Sequence, residues 1–288
     1  MSLYFGLGSA TVPVAFRRRL ADDPDTTCKE RMSESSEAPN VFGETPKTAG
    51  GDARAPQASA ERSKWLLLRE GRCAFDYNMA MDEALLESAS EVGFPVLRFY
   101  GWTEPAASFG YSQEYAQIEK LTMLRPLVRR PTGGGLVPHD ADWTYSIVIP
   151  PKNLWYHIKA TESYQRIHEW LRDAFSMMNV ATTLSPQRQK EIPGQCFVGA
   201  EKDDLLWHGR KIAGAAQRRS RNGLLIQGSV QPPPISLSRE SWEDAMCQVA
   251  EARFGVKWNT MEIRVTLQNL AENLRAAKYG RKEFNEKR

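Results

Sequence analysis

The chain has 288 residues, of which 41% are hydrophobic and 25% charged, and 38 Lys+Arg against 35 Asp+Glu leave a formal net charge of +3. That composition excludes a fibre and a wholly disordered chain, and so balanced a charge argues against a nucleic-acid binder. There is no run of about 18 apolar residues from which a transmembrane helix could form. The four cysteines, Cys28, Cys73, Cys196 and Cys247, lack CxxC spacing. A disulfide scaffold or structural zinc site is therefore not expected, and free thiols in a cytoplasmic protein are.

In chain order, residues 1–63 are expected to be a disordered extension. Ser33 to Pro39 and Lys47 to Asp52 have linker composition, too polar to bury a core. Arg17-Arg18-Arg19 follow an apolar stretch rather than precede it, the wrong order for a signal peptide. A start at Met32 is the alternative. The folded domain is expected over residues 64–288.

Trp65 to Leu68 predicts a strand, and Asp76 is placed as the cap of a helix running from Tyr77 through Met79, Met81, Leu85 and Leu86. Val96 to Tyr100 is rich in β-formers, and Pro126 to Arg130 reads as a short strand entering a glycine turn. Trp143 to Ile149 is the clearest strand, stopped by Pro150-Pro151. Tyr164, Ile167, Leu171 and Phe175 recur at helical spacing within residues 161–179. Residues 211–216 and 223–228 form a hairpin pair, and residues 241–253 and 260–279 are helical. Strands mixed with helices in this way predict an α+β domain.

Three segments can carry chemistry. Arg130-Pro131-Thr132-Gly133-Gly134-Gly135, followed by His139, places three costly glycines in a row. Such a loop lets backbone N–H groups approach a carboxylate, phosphate or thioester oxygen, or it is a plain hairpin turn beside solvated arginines. It is neither a P-loop nor a dinucleotide fingerprint. In the second segment, Lys211 leads into Ile212, Ala213, Gly214 and Ala215, small residues that leave room for something flat or long; the plainer alternative is a solvated lysine. The third is Cys196, 15 residues before Lys211. It is either a small buried hydrophobe or a thiol whose ionisation a folded-back ammonium favours. His157, His168 and His208 have no ligand-like spacing and are expected at the surface or in packing. The basic stretch from Arg264 to Arg288 is expected to be a solvated helix face.

Taken together, these segments resemble the biotin/lipoate A/B protein ligase family, from about Trp65 to the end of the chain. The likeness rests on Leu97 to Trp102 with Pro105 and Gly110, on Arg129 to Gly135 with His139-Asp140, and on Gly209 to Arg219 with Gln227-Gly228-Ser229. It implies a mixed β-sheet flanked by helices, with lipoate, octanoate or biotin chemistry over the sheet. Cys196-Phe197 ahead of the lysine motif is similar to the cysteine-dependent octanoyltransferases that resemble lipoate-protein ligases. In those relatives the cysteine carries the acyl group as a thioester and the lysine favours its thiolate. The resemblance thus implies Cys196 and Lys211 as the catalytic pair, with Arg130, Gly133, Gly134, Gly135, His139, Gly214 and Ala215 lining the substrate.

The implied donor is octanoyl–acyl carrier protein. The implied acceptor is a lysine of a lipoyl domain, in the glycine-cleavage H protein or a dehydrogenase E2. No cofactor, no metal, no nucleic acid and no membrane enter, and a monomer is expected. One alternative is a lipoate-protein ligase that forms lipoyl-AMP from ATP with Mg²⁺; another is a non-catalytic module that binds acyl or lipoyl proteins.

Overall fold

The computed structural model describes residues 63–188 and 199–287. The sequence reading of residues 1–62 and of Cys196-Phe197 falls outside them. In chain order the elements are β1 (Ser63–Cys73), α1 (Phe75–Glu87), α2 (Ala89–Val92), β2 (Val96–Trp102), β3 (Ala106–Phe109), α3 (Tyr115–Ile118), β4 (Leu127–Arg129), β5 (Val137–His139) and β6 (Trp143–Ile149). They continue with α4 (Leu154–His157), α5 (Ala160–Met177), β7 (Thr183–Leu184), β8 (Leu205–Trp207), β9 (Arg210–Ser220), β10 (Gly223–Val230), α6 (Arg239–Phe254), β11 (Val256–Thr260), α7 (Val265–Leu274) and α8 (Lys282–Asn285).

The main sheet has eight strands in the order β11-β1-β2-β6-β10-β9-β8-β7. The pairs β11/β1 and β1/β2 are parallel, and the remaining pairs are antiparallel, with β9 and β10 forming the predicted hairpin. Helices cover both faces. Tyr145, Ile147 and Ile149 of β6 pack in one core with Trp170 and Phe175 of α5 and Trp242 and Met246 of α6. Val148 and Leu225 pack in another with Met81, Ala84 and Leu85 of α1 and Leu267 of α7. All seven residues of β6 and all eight of β10 are consequently buried. A strand covered on both sides has no solvent face, so its sequence reads as a near-continuous apolar run rather than an alternation. Burying a single large aromatic or aliphatic side chain of this core contributes roughly 1.5–3 kcal/mol. The mixed sheet flanked by helices that the sequence predicts is the observed architecture.

A second sheet, β4-β3-β5, stands beside it and carries the glycine turn between β4 and β5. Two predicted boundaries move. Asp76 is not the cap of α1: Ala74 is, and Asp76 sits in the first turn, where its carboxylate accepts from the Tyr77 amide and pairs with Arg275 at 3.0 Å. The helix expected over residues 260–279 begins only at Val265, and its last five residues, Arg275–Tyr279, widen into a π-turn. Part of the basic tail is also paired rather than solvated. Lys278 and the Tyr279 hydroxyl both reach the buried Glu83 carboxylate. The π-turn places both groups over α1, giving the end of the chain a specific seat.

Candidate functional site

The cleft lies where the small sheet meets β9 and β10, and it measures about 500 Å³ counting its open mouth. It brings together six residues singled out from the sequence: Arg130, Gly134, His139, Lys211, Gly214 and Ala215. Gly133 and Gly135 are fastened next to it, because the Arg130 guanidinium donates to their carbonyl oxygens at 2.9 and 2.7 Å. Arg130 thus folds the loop onto itself. Arg129 is buried and donates to backbone carbonyls of Tyr111, Gln113 and Asn285, tying the start of the turn to the C-terminal helix. Cys196 lies outside the described residues.

The glycine loop is seated by close approach to β3. A Cβ on Gly110 would lie 2.0 Å from the Gly134 carbonyl oxygen. Both sides of that contact are backbone, so the loop itself must give way. Gly110→Ala is expected to displace the loop, costing about 1–3 kcal/mol in denaturant unfolding. The displaced loop is expected to slow turnover about 10²-fold.

From the loop, the Thr132 hydroxyl donates to Gln227 Oε1 at 2.7 Å, and Gln227 Nε2 donates to Asp82 at 2.7 Å. Asp82 is fully buried on α1 and also accepts from Ser146, Tyr100 and Arg98. Arg98 lies 4.0 Å from the centre of the Tyr100 ring, and Glu70 holds its other side. A buried charge is tolerated only when paired and hydrogen-bonded, and this network supplies both.

On the other wall, Lys211 Nζ lies 2.7 Å from the Asp204 carboxylate, with side-chain exposures of only 7% and 0%. The lysine stem passes over Gly214, where a Cβ would lie 2.9 Å from its Cε. Asp204 is held in turn by the Tyr164 hydroxyl and by the Glu201 amide at 2.7 Å. Burial first, and then the Asp204 charge, push the Tyr164 phenol well above its ordinary range, so it acts as a donor. β8 accompanies β9 only as far as Ala213, and beyond it the Ala215 amide bonds to the Tyr164 hydroxyl. The Lys211 ammonium at this wall is a cation suited to a developing oxyanion.

Behind Asp204, His168 is fully buried; its Nε2 lies 4.0 Å from Asp204 Oδ1 and has no hydrogen-bond partner. Desolvation lowers its pKa; the Asp204 charge offsets part of this, and the Lys211 charge lowers it further. The unfolded chain therefore binds a proton at a pH where the native state does not. That stability is intact above pH about 6.5 and declines below it, by at most about 1.4 kcal/mol per pH unit. Unfolding curves at pH 7.5 and 5.5 should show His168→Gln with the shallower decline. An equal decline would place the proton uptake elsewhere.

Two polar residues near the loop, Ser108 and Asp142, gave no sequence signal, and both meet His139. His139 stacks on Trp102 with ring centres 3.8 Å apart; its Nε2 lies 2.6 Å from Ser108 Oγ and its Nδ1 lies 2.8 Å from Asp142. Of the two cysteines described, Cys247 is a poor nucleophile. Cys247 is buried beside Arg69, and burial outweighs that charge, pushing the thiol up to about 12.

The chain matches the model of the lipoyl protein ligase A/B catalytic domain over residues 75–274, and it belongs to that family. Among its relatives, the octanoyltransferase LipM of Anoxybacillus flavithermus is 32% identical over 183 residues, 59% of this chain and 66% of that protein. The chain thus spans just under two thirds of that relative's length. LipM of Bacillus subtilis is 30% identical over 242 residues, 78% of this chain and 85% of that protein. In fold, the Ta0514 protein of T. acidophilum superposes with a TM-score of 0.66 at 20% identity. That match covers 78% of this chain and all of the other. A lipoate-protein ligase A bound with ATP gives a TM-score of 0.62 at 20% identity, covering 78% and 98%.

Proposed function

We propose that residues 64–288 form an octanoyltransferase domain acting in protein lipoylation. Its acyl donor is octanoyl–acyl carrier protein and its acceptor the lysine of a lipoyl domain. The observation that carries this reading is the Lys211 ammonium, held at 2.7 Å by a fully buried Asp204 at the wall of the cleft. A fixed cation there favours a thiolate and stabilises the oxyanion of a tetrahedral intermediate. Cys196 supplies that thiolate. It attacks the donor thioester, the carrier-protein thiol leaves, and an octanoyl–Cys196 thioester remains. The acceptor lysine then displaces Cys196 to give the amide. A thioester already carries the activation an amide needs, so no ATP enters. The octanoyltransferase relatives named above support this chemistry.

Mixing the protein with octanoyl–acyl carrier protein and measuring its intact mass tests the reading. An octanoyl adduct that maps to Cys196, forms without ATP and is lost in Cys196→Ala is the expected result. Full transfer by Cys196→Ala would overturn the covalent route. The ligase alternative draws on the consecutive glycines Gly133-Gly134-Gly135, whose loop would face an acyl-adenylate. It requires turnover of free lipoate with ATP and Mg²⁺, and omitting ATP separates the two. No helix among the described residues is long and apolar enough to cross a membrane.

A further inference from the structure

The reaction just described leaves one chemical requirement unassigned. A lysine side chain arrives as an ammonium ion, which has no lone pair, and it must lose a proton before it can attack. Lys211 is itself a cation and sits across the cleft wall on Asp204. We propose that Ser108, His139 and Asp142 form the relay that takes up this proton.

The hydrogen bonds give the relay a direction. Arg130 Nη1 lies 2.8 Å from Ser108 Oγ, and a guanidinium can only donate. Ser108 Oγ therefore accepts from Arg130 and turns its own hydrogen toward His139 Nε2, 2.6 Å away. With Nε2 accepting, the ring hydrogen sits on Nδ1 and points at Asp142 Oδ2, 2.8 Å away. Asp142 Oδ2 also accepts from Ser229 at 2.7 Å and Thr144 at 3.0 Å, which fixes the carboxylate. Its other oxygen, Oδ1, is buried with no hydrogen-bond partner. Among the described residues, the imidazole is the one basic side chain paired with this carboxylate. The carboxylate holds the imidazole by its Nδ1 and so aims Nε2 at Ser108. Ser108 and His139 both line the cleft. His139 also borders a second cavity, rimmed by the exposed Glu104 and Asp140, through which a proton can return to water.

The step balances. The ammonium gives a proton to Ser108 Oγ as the serine proton passes to His139 Nε2, leaving an imidazolium on Asp142. The freed amine forms the C–N bond, the C–S bond breaks, and the electron pair leaves on sulfur. The surplus proton of the amide nitrogen goes to that sulfur, and the imidazolium releases its proton to water. One proton is released per amide formed.

This proposal rests on the transferase reading, and the experiment separates the two. Full-length wild type, Ser108→Ala and His139→Gln are first acylated with octanoyl–carrier protein. Release of the octanoyl group is then timed in single turnover with two acceptors. One is a lipoyl domain, whose lysine is protonated at neutral pH; the other is hydroxylamine, which is not. Both variants should slow transfer to the lipoyl domain about 100-fold, while release to hydroxylamine falls far less. Equal slowing with both acceptors, or no slowing with the lipoyl domain, overturns the relay alone. Absence of any acyl adduct on the wild type overturns the transferase reading and the relay with it. Ser108→Ala removes a single oxygen and keeps the test open if His139→Gln does not fold.

Discussion

Lys211→Met is expected to lower acyl transfer by about 10³-fold, the scale of removing a principal oxyanion donor. It should also cost about 3–5 kcal/mol of stability. The two losses have different origins. Activity falls because the cation at the cleft wall is gone. Stability falls because Asp204, fully buried, is left with Tyr164 and Glu201 as donors but without its cation. Adding Asp204→Asn removes the uncompensated charge and should restore much of the stability. It should restore no activity, since no cation returns to the cleft. Urea unfolding and single-turnover acylation of the single and double variants measure the two effects separately. If the double variant regained turnover, Lys211 would be only a counter-ion for Asp204.

The parts of this site that were legible in the sequence are those whose chemistry is written locally. Three consecutive glycines after an arginine, and a lysine leading into Ala213-Gly214-Ala215, are patterns a single segment displays. The same holds for the fold: α5 announces itself by helical spacing, and β6 by an apolar β-branched run ended by two prolines. What stayed hidden depends on partners distant in sequence. Asp204 lies in an Asp203-Asp204 pair that reads as a polar turn, and only the pairing of β8 with β9 brings it to Lys211. Ser108 sits in a strand of four residues and pairs with a strand of three, each too short to show an alternation. His168 lies on a helix among apolar neighbours, and the lack of a hydrogen-bond partner at its Nε2 exists only in the folded core. β11 fell between the two predicted helices and went unread, because Val256 to Thr260 is a five-residue edge strand with one buried residue. Its parallel pairing with β1, not its own pattern, makes it a strand.

Asp82→Ala carries an expected loss of stability as large as that of Lys211→Met, about 3–5 kcal/mol. That is a sizeable share of the roughly 5–15 kcal/mol that holds a typical domain together. Asp82 accepts from Arg98, Ser146, Tyr100 and Gln227 inside the layer between α1 and the sheet, where no water can replace it. Alanine strands those donors and leaves the fully buried Arg98 with Glu70 as its remaining carboxylate. Breaking one partner of a buried pair is costly because the other charge stays behind, whereas Asp82→Asn keeps the volume and one acceptor and should cost less. The effect also reaches the cleft. Gln227 is the bridge from Asp82 to the Thr132 hydroxyl, so loss of the carboxylate loosens the seat of the glycine loop. Asp82→Ala should therefore turn over poorly even at temperatures where its far-ultraviolet spectrum is native. A stability loss below about 1 kcal/mol would show that these hydrogen bonds only accompany the packing of α1 rather than secure it.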